Sequence, residues 1–324
     1  MTTRTLAIAL LLAVFVATSA EAQKYPDKVI TVVVPFAAGG PTDTVARLVS
    51  VPMSKTLGQQ LIVENTLGAG GTIAVNRVAK AAPDGYTLLL HHIGMSTAPG
   101  LYRKLPYDTI NDFEPIGLIN EVPMTLVAKK DFPAKDLKEL IAFVKANKEK
   151  INLANAGIGA ASHLCGMLFM NAINTELTTV PYNGTAPAMN DLLGGQVDLM
   201  CDQTTNTTSQ IRAEKIKVYG VTTKQRVASL PKVPTMDEAG LKGFEVSVWH
   251  GLYAPKATPK PVIDTLVKAL QVALKDKVVK ERFADLGAEP VAENRATPAA
   301  LRAHLKAEID KWLPVIKKAG VFAD

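Results

Sequence analysis

Two rhythms of apolar and polar positions alternate along most of the chain. Residues 29–34 form a continuous β-branched run, the pattern of a strand buried on both faces of a parallel sheet. The run ends at Pro35-Phe36, followed by the turn Ala37-Ala38-Gly39-Gly40-Pro41 and by Thr42 and Asp43 as helix-start residues. Apolar positions then recur at Val45, Leu48, Val49 and Met53, which is helical spacing. The unit repeats: 61–63 predicts a strand, Gly68-Ala69-Gly70-Gly71 a loop, and 72–81 a helix. A strand at 87–90 ends at His91-His92-Ile93-Gly94. Further on, 137–146 predicts an amphipathic helix, and a strand near 151–154 leads through Ala156-Gly157-Ile158-Gly159-Ala160-Ala161-Ser162 into a helix over about 163–173. Strands near 177–180, 197–200 and 216–221 continue the alternation, which reads as α/β with mostly parallel sheets flanked by helices.

From Pro261 onward the pattern is helical, with Leu301, Leu305, Ile309, Trp312, Leu313 and Ile316 on one face. A helical tail of that length needs a sheet to cover. The most economical arrangement returns the chain to its first lobe after a second lobe is complete. Crossings are placed near 119–127 and 246–253, where the sequence is extended and apolar. Lobe 1 is then 23–122 with 250–324, and lobe 2 is 123–249. Two crossover strands make a hinge over a cleft, where ligands are expected at the carboxyl ends of strands. The length of 324 residues agrees with two domains at about 150 residues each.

The first 22 residues alter that picture. Arg4 precedes an unbroken apolar stretch at 6–17, and Ala20-Glu21-Ala22 has the small-x-small form of a cleavage site. The stretch is shorter than the about 20 residues a membrane span needs. Residues 1–22 therefore predict a cleavable signal peptide and a mature chain from Gln23. In an exported chain, Cys165 and Cys201 are either one bridge or two small buried apolar side chains. Neither sits in an electropositive motif that would favour a thiolate. The net charge of +6 is scattered, with no basic run interleaved with aromatics, so no nucleic-acid partner is expected.

Candidate chemistry gathers at two similar loops, 36–43 and 156–163. Each follows a strand, is rich in Gly and Ala, and opens a helix. Small side chains let a ligand approach backbone N–H groups, and the helix N-terminus adds partial positive charge. Neither loop contains Lys or Arg, so an anion there would be held by N–H dipoles and by the hydroxyls of Thr42 and Ser162. A carboxylate fits better than a phosphate chain, because no Gly-Lys-Ser/Thr follows either loop. Other strand ends carry His91, His92, Ser96 and Thr97; Tyr182, Asn183 and Gly184; and Asp202 to Asn206. His91 and His92 alternate faces on a strand, so at most one should enter a given site. A cleft-facing Asp202 implies a ligand with a donor group beside its carboxylate. No Gly-x-Ser-x-Gly elbow, His-Glu-x-x-His, Cys-x-x-Cys or complete dinucleotide fingerprint is present, so no cofactor or metal is expected.

The chain resembles the Bug family of exported solute receptors, the extracytoplasmic subunits of tripartite tricarboxylate transporters (TctC-like). The resemblance rests on Val-Pro-Phe-Ala-Ala-Gly-Gly-Pro-Thr-Asp at 34–43, Gly68-Ala69-Gly70-Gly71, and Ala82-Pro83-Asp84-Gly85-Tyr86. It continues in Leu101-Tyr102-Arg103-Lys104-Leu105-Pro106-Tyr107-Asp108, Pro181-Tyr182-Asn183-Gly184 and Asp191-Leu192-Leu193-Gly194-Gly195. It implies a two-lobed type II periplasmic-binding-protein fold and a monomeric periplasmic receptor. It also implies a small carboxylate ligand, and large and small integral membrane subunits as partners. By resemblance, Phe36, Ala37, Gly39, Gly40, Thr42 and Asp43 with Gly157, Gly159, Ala160, Ser162 and His163 surround the ligand's carboxylate. His92, Met95, Tyr182 and Asp202 bear on ligand choice. The segment His91-His92-Ile93-Gly94-Met95 departs from the small polar residues common there. Two readings compete: a receptor with a sensory output, and a periplasmic hydrolase using Ser162.

Overall fold

The β-branched run becomes the seed of the sheet. In the computed structural model, which describes residues 25–320, 322 and 323, β1 (Ile30–Val34) is buried at every position but Thr31. The parallel strands β2 (Leu61–Asn65) and β3 (Thr87–His92) flank it. Each crossover is a helix: α1 (Pro41–Leu57), then α2 (Thr72–Ala79). Pro41 opens α1, where a missing N–H costs no intrahelical bond. A short helix, α3 (Gly94–Leu101), follows β3. The signal peptide expected over 1–22 lies outside the described residues.

Two long strands organise the rest. β4 (Phe113–Lys129) runs for 17 residues and changes partners along its length. Up to Pro123 it pairs with β9 (Ser247–Pro255); from Met124 it pairs with β7 (Leu199–Gln203) and β8 (Ile216–Val221). The order is β2-β1-β3-β9-β4 in one wing and β4-β7-β5-β6 in the other, with β5 at Asn152–Asn155 and β6 at Thr178–Pro181. Parallel pairing holds in the outer parts of both wings, β1 with β2 and β3, and β5 with β6 and β7. Every pair made by β4 or β9 is antiparallel. A chain that leaves one wing on β4 and re-enters beside it on β9 must reverse direction.

The helices of the second wing are α4 (Leu137–Ala146), α5 (Ala161–Ala172), α6 (Thr185–Leu193) and α7 (Thr204–Arg212). The sequence reading had no place for α3, α6 or α7. Each starts within a few residues of a strand end, so its polar first turn reads as turn chemistry. In the tail, α8 (Lys260–Lys275), α9 (Lys277–Asp285) and α10 (Pro298–Ala319) return to the first wing. α8 packs on α1, and α10 packs on α3 and β4. Leu301, Leu305, Trp312 and Ile316 of α10 are buried, with Ile309 packed at the margin of the core. No helix among the described residues is long and apolar enough to cross a membrane.

The two cysteines form a disulfide, which resolves the alternatives left by the sequence. Cys165 on α5 and Cys201 on β7 are 1% and 0% exposed and 36 residues apart. Cross-linking a loop of that length restricts the unfolded chain. Replacing both residues with Ala should therefore lower the urea unfolding free energy by about 3–4 kcal/mol. A loss below about 1 kcal/mol would show that loop closure contributes little here.

Candidate functional site

Four helices begin at one place. Pro41 and Thr42 of α1, Ala161 and Ser162 of α5, Thr185 of α6, and Gln203, the N-cap of α7, line a small inner cavity of about 10 Å³, room for about one water molecule, with Phe36, His92, Ala156 and Asp202. No Lys or Arg lines it. Each helix start leaves backbone N–H groups without intrahelical partners and adds a partial positive charge, so the cavity attracts an anion without a formal cation. Phe36 and Ala156 also border an outer cleft of about 520 Å³, walled by Gly70, Tyr102, Gly157, Ile158, Tyr182 and Asn183.

Both Gly-rich loops are braced from within. The buried Asp43 carboxylate accepts from Gly39 N–H at 2.9 Å, from Arg47 Nε and Nη2 at 2.9 Å each, and from Asn65 Nδ2 at 3.0 Å. Asn65 Nδ2 also reaches Phe36 O at 2.8 Å. Burial alone would raise the Asp43 pKa; Arg47, Gly39 N–H and Asn65 outweigh it and hold the carboxyl below its ordinary value. Asp43 therefore braces the loop and takes up the Gly39 N–H, and it is not among the residues that line the cavity. In the second loop, Ser162 Oγ accepts Ala156 N–H at 2.8 Å and Asn155 Oδ1 accepts Gly157 N–H at 2.9 Å. His163 Nδ1 lies 3.4 Å from Gly159 N. Ser162 and His163 thus serve different backbone N–H groups, and no nucleophile–base pair is formed.

Hydrogen bonds cross the cleft. Ala37 N–H donates to Asn183 O at 2.9 Å, and the Thr97 hydroxyl donates to Gly159 O at 3.1 Å. The Tyr102 hydroxyl sits 2.8 Å from Ala69 O and 3.0 Å from Ile158 O, so it bridges the two walls. This approach requires glycine at position 70. A Cβ there would fall 1.8 Å from Ile158 O, and Gly70 has φ of +60°.

Strand alternation would send His91 and His92 to opposite faces, and the structure corrects this. His92 stacks on Phe36 at 4.6 Å between centroids, and His91 meets the same ring edge-on at 5.6 Å. β3 ends at His92 and Ile93 takes a helical conformation. His91 Nδ1 accepts His92 N–H at 2.7 Å and His92 Nδ1 accepts Gly94 N–H at 2.9 Å, so both rings curl toward the turn. Only His92 of the two lines the deep cavity. Burial lowers its pKa to about 3, so the ring is neutral.

Asp202 is 1% exposed. Burial pushes its pKa up to about 7, against the pull of Asn206 Nδ2 at 2.6 Å, the Gln203 backbone and Thr185.

The structure thus brings Phe36, Thr42, His92, Ser162 and Asp202 to the deep cavity, and Gly157 and Tyr182 to the outer cleft. Ala37 and Gly159 carry bonds across the cleft, while Gly40 and Ala160 are the N-caps of α1 and α5. The Tyr182 hydroxyl is bound to Asp191 at 2.6 Å, leaving its ring to face the cleft. Met95 does not join the site. Gly94 opens α3, which turns Met95 into the main hydrophobic core at 1% exposure. Thr185 is the cavity residue that the sequence reading did not name; Pro41, Ala156 and Ala161 lie within the two Gly-rich loops, and Gln203 within the strand-end run 202–206. Gly184-Thr185 and Gln203-Thr204 carried the available signal, as helix starts directly after strands.

Residues 45–321 match the family described as the tripartite tricarboxylate transporter family receptor. A protein from the TAR-I ttuE-ttuC' intergenic region of Agrobacterium vitis is 56% identical over 302 residues, covering 93% of this chain and 87% of the relative. Among solved structures, the periplasmic binding protein BugD superposes with a TM-score of 0.90 at 58% identity, covering 92% of this chain and 99% of BugD. MatC from Rhodopseudomonas palustris, with bound malate, superposes with a TM-score of 0.88 at 44% identity, covering 90% of this chain and all of MatC (100%).

Asp202 generates a pH prediction. Its folded pKa of about 7 is raised from 3.8, so the stability linked to its protonation is complete below pH 3.8 and lost as pH rises through 7. About three pKa units correspond to ~4 kcal/mol. Urea titrations without ligand should show the wild-type chain losing that much relative to Asp202→Asn between pH 4 and pH 8. Parallel profiles would mean that the carboxyl is solvated.

Proposed function

The chain belongs to the receptor family of tripartite tricarboxylate transporters, and from that membership we propose that it closes two lobes on a small carboxylate and delivers it to the integral membrane subunits of such a transporter. Family members are periplasmic solute-binding receptors. In this reading the chain is exported by the signal peptide at 1–22, acts as a monomer and binds no nucleic acid. Lobe 1 comprises 23–122 with 250–324, and lobe 2 comprises 123–249. The partner change of β4 at Pro123/Met124 and the start of β9 at Ser247 support hinges near these boundaries.

One observation carries the proposal: four helix N-termini surround a single cavity that no cationic side chain enters. The ligand's carboxylate sits among those N–H groups and the Ser162 hydroxyl. Phe36 and His92 flank its carbon skeleton. The buried Asp202 makes a donor group on the ligand favourable, because a further hydrogen bond would offset part of the desolvation that raises its pKa. A hydroxy- or amino-substituted dicarboxylate satisfies both demands, and MatC, which holds malate, is a relative of matching fold. Closure adds the second lobe's donors only when ligand is present, so the ligand shifts the open–closed population.

Thermal-shift and calorimetric screening against mono-, di- and tricarboxylates, with aromatic and amino acids included, tests the reading directly. A small polar dicarboxylate should stabilise the protein, and affinity should change little with salt between low and moderate ionic strength. Stabilisation by no carboxylate would sink the proposal. The bridging Tyr102 hydroxyl supplies a second test. Tyr102→Phe removes one hydrogen bond worth about 1 kcal/mol, so Kd should rise about fivefold for every ligand alike. An unchanged Kd would show that the bridge does not hold the closed form.

A further inference from the structure

Behind the Thr42 hydroxyl lies a buried chain of polar groups outside the deep cavity. Asn120 on β4 and His250 on β9 stand opposite each other in the register of the two crossing strands, and both are 0% exposed. Asn120 Oδ1 is 2.8 Å from His250 Nδ1, and His250 Nε2 is 3.3 Å from Thr42 Oγ1. An amide oxygen only accepts, so Nδ1 carries the imidazole hydrogen. Burial, aided by the neighbouring His92, lowers the His250 pKa well below its ordinary value, and the ring is neutral. Nε2 is then a bare acceptor, and the Thr42 hydroxyl must donate to it.

The direction of that bond decides what Thr42 offers a ligand. Its one hydrogen is spent inward on His250, so only oxygen lone pairs remain for the cavity it lines. The Asn120 amide is committed to the same chain: its Nδ2 is buried without a partner, so its bond to His250 is the one its side chain makes among the described residues.

We propose that His250 is a positioning residue that sets ligand preference by fixing Thr42 as a hydrogen-bond acceptor, so that the cavity favours carboxylates bearing a neighbouring hydroxyl or ammonium over their unsubstituted analogues. The inference rests on the receptor reading and deepens it. Because Asn120 and His250 belong to the crossing strands, the same chain ties recognition of the donor to the hinge. A ligand that leaves the Thr42 oxygen unmatched in a closed, dry cavity loses the solvation of that group.

Calorimetry with malate and succinate as probes tests this, since they differ by one hydroxyl. The wild-type chain should bind malate about tenfold more tightly than succinate, the discrimination expected from one matched buried hydrogen bond. In His250→Phe, which keeps a ring and removes both nitrogens, the Thr42 hydroxyl is released and the malate-to-succinate ratio should fall toward one. Asn120→Leu and Thr42→Val should lower the ratio in the same direction. The double variant His250→Phe/Thr42→Val should match Thr42→Val alone, because the two residues act through one bond. Equal weakening of both ligands in His250→Phe, with the ratio preserved, would make His250 merely structural and overturn the inference. A wild-type ratio of one overturns it while the receptor reading stands, whereas binding of neither probe nor any other carboxylate removes the receptor reading itself. If His250→Phe fails to fold, the ratio in Thr42→Val and Asn120→Leu decides the matter.

Discussion

An anion taken out of water without a positive side chain has to be held by backbone dipoles, and these act strongly only at hydrogen-bond range. Much of the architecture follows from that requirement. No single helix start suffices, so the starts of α1, α5, α6 and α7 converge on one cavity. Helices begin at the carboxyl ends of parallel strands, and two βα wings can therefore face their helix starts toward a shared cleft. Side chains in the loops must be small enough for backbone to meet backbone across the cleft, as at Gly70 and Ile158. Arg47, near the first loop, is spent on Asp43 and points its charge into the brace rather than the cavity.

The two wings must also hold their donors in register with each other. Two features do this at different ranges. The disulfide fixes α5 against β7, three residues beyond Ser162 and one before Asp202, so that the second wing presents its half of the site as a unit. The crossing strands set the relation between wings. β4 is shared by both, and β9 is hydrogen-bonded to its first half, so the two crossing strands, where the proposed hinge lies, also carry Asn120 and His250. Backbone, staple and hinge converge on residues within a few positions of the cavity.

How much of this was legible follows from the range of the forces involved. The strands and the Gly-rich loops are local: a β-branched run and a turn of small residues declare themselves, and 29–34, 36–43 and 156–163 were readable for that reason. Thr42 and Ser162, at helix starts after Gly-rich loops, and Asp202, at a strand end, were singled out by that local pattern, and all three line the cavity. The bracing role of Asp43 was not legible because it depends on Asn65, 22 positions away. Met95 was misassigned because one residue, Gly94, starts a helix where the strand pattern suggested a loop. The paired orientation of His91 and His92 arises from side-chain bonds to the next turn, which the two-residue period of a strand does not contain. Tyr102 stood in a family motif, but its bridging role was not legible, since its partners Ala69 and Ile158 belong to separate loops. The overall +6 charge pointed toward an anion, yet no basic side chain lines the deep cavity.

Affinity and choice are supplied by opposite kinds of group. Helix starts attract any carboxylate small enough to enter, and alone they would make a permissive receptor. Acceptors placed among those donors make the site selective. On the proposed reading, Thr42, with its hydrogen turned toward His250, would leave lone pairs that water cannot reach once the cleft is shut, and Asp202, its pKa pushed up to about 7 by burial, would accept a further donor. A ligand without a donor gains the same carboxylate bonds and then bears the cost of those unmatched acceptors. Discrimination built on unpaired buried polar groups is stronger than discrimination by apolar size, because an apolar wall rejects a missing or extra group only weakly. On the proposed reading, the site would set its ligand class less by what it grips than by the acceptors a ligand leaves unsatisfied.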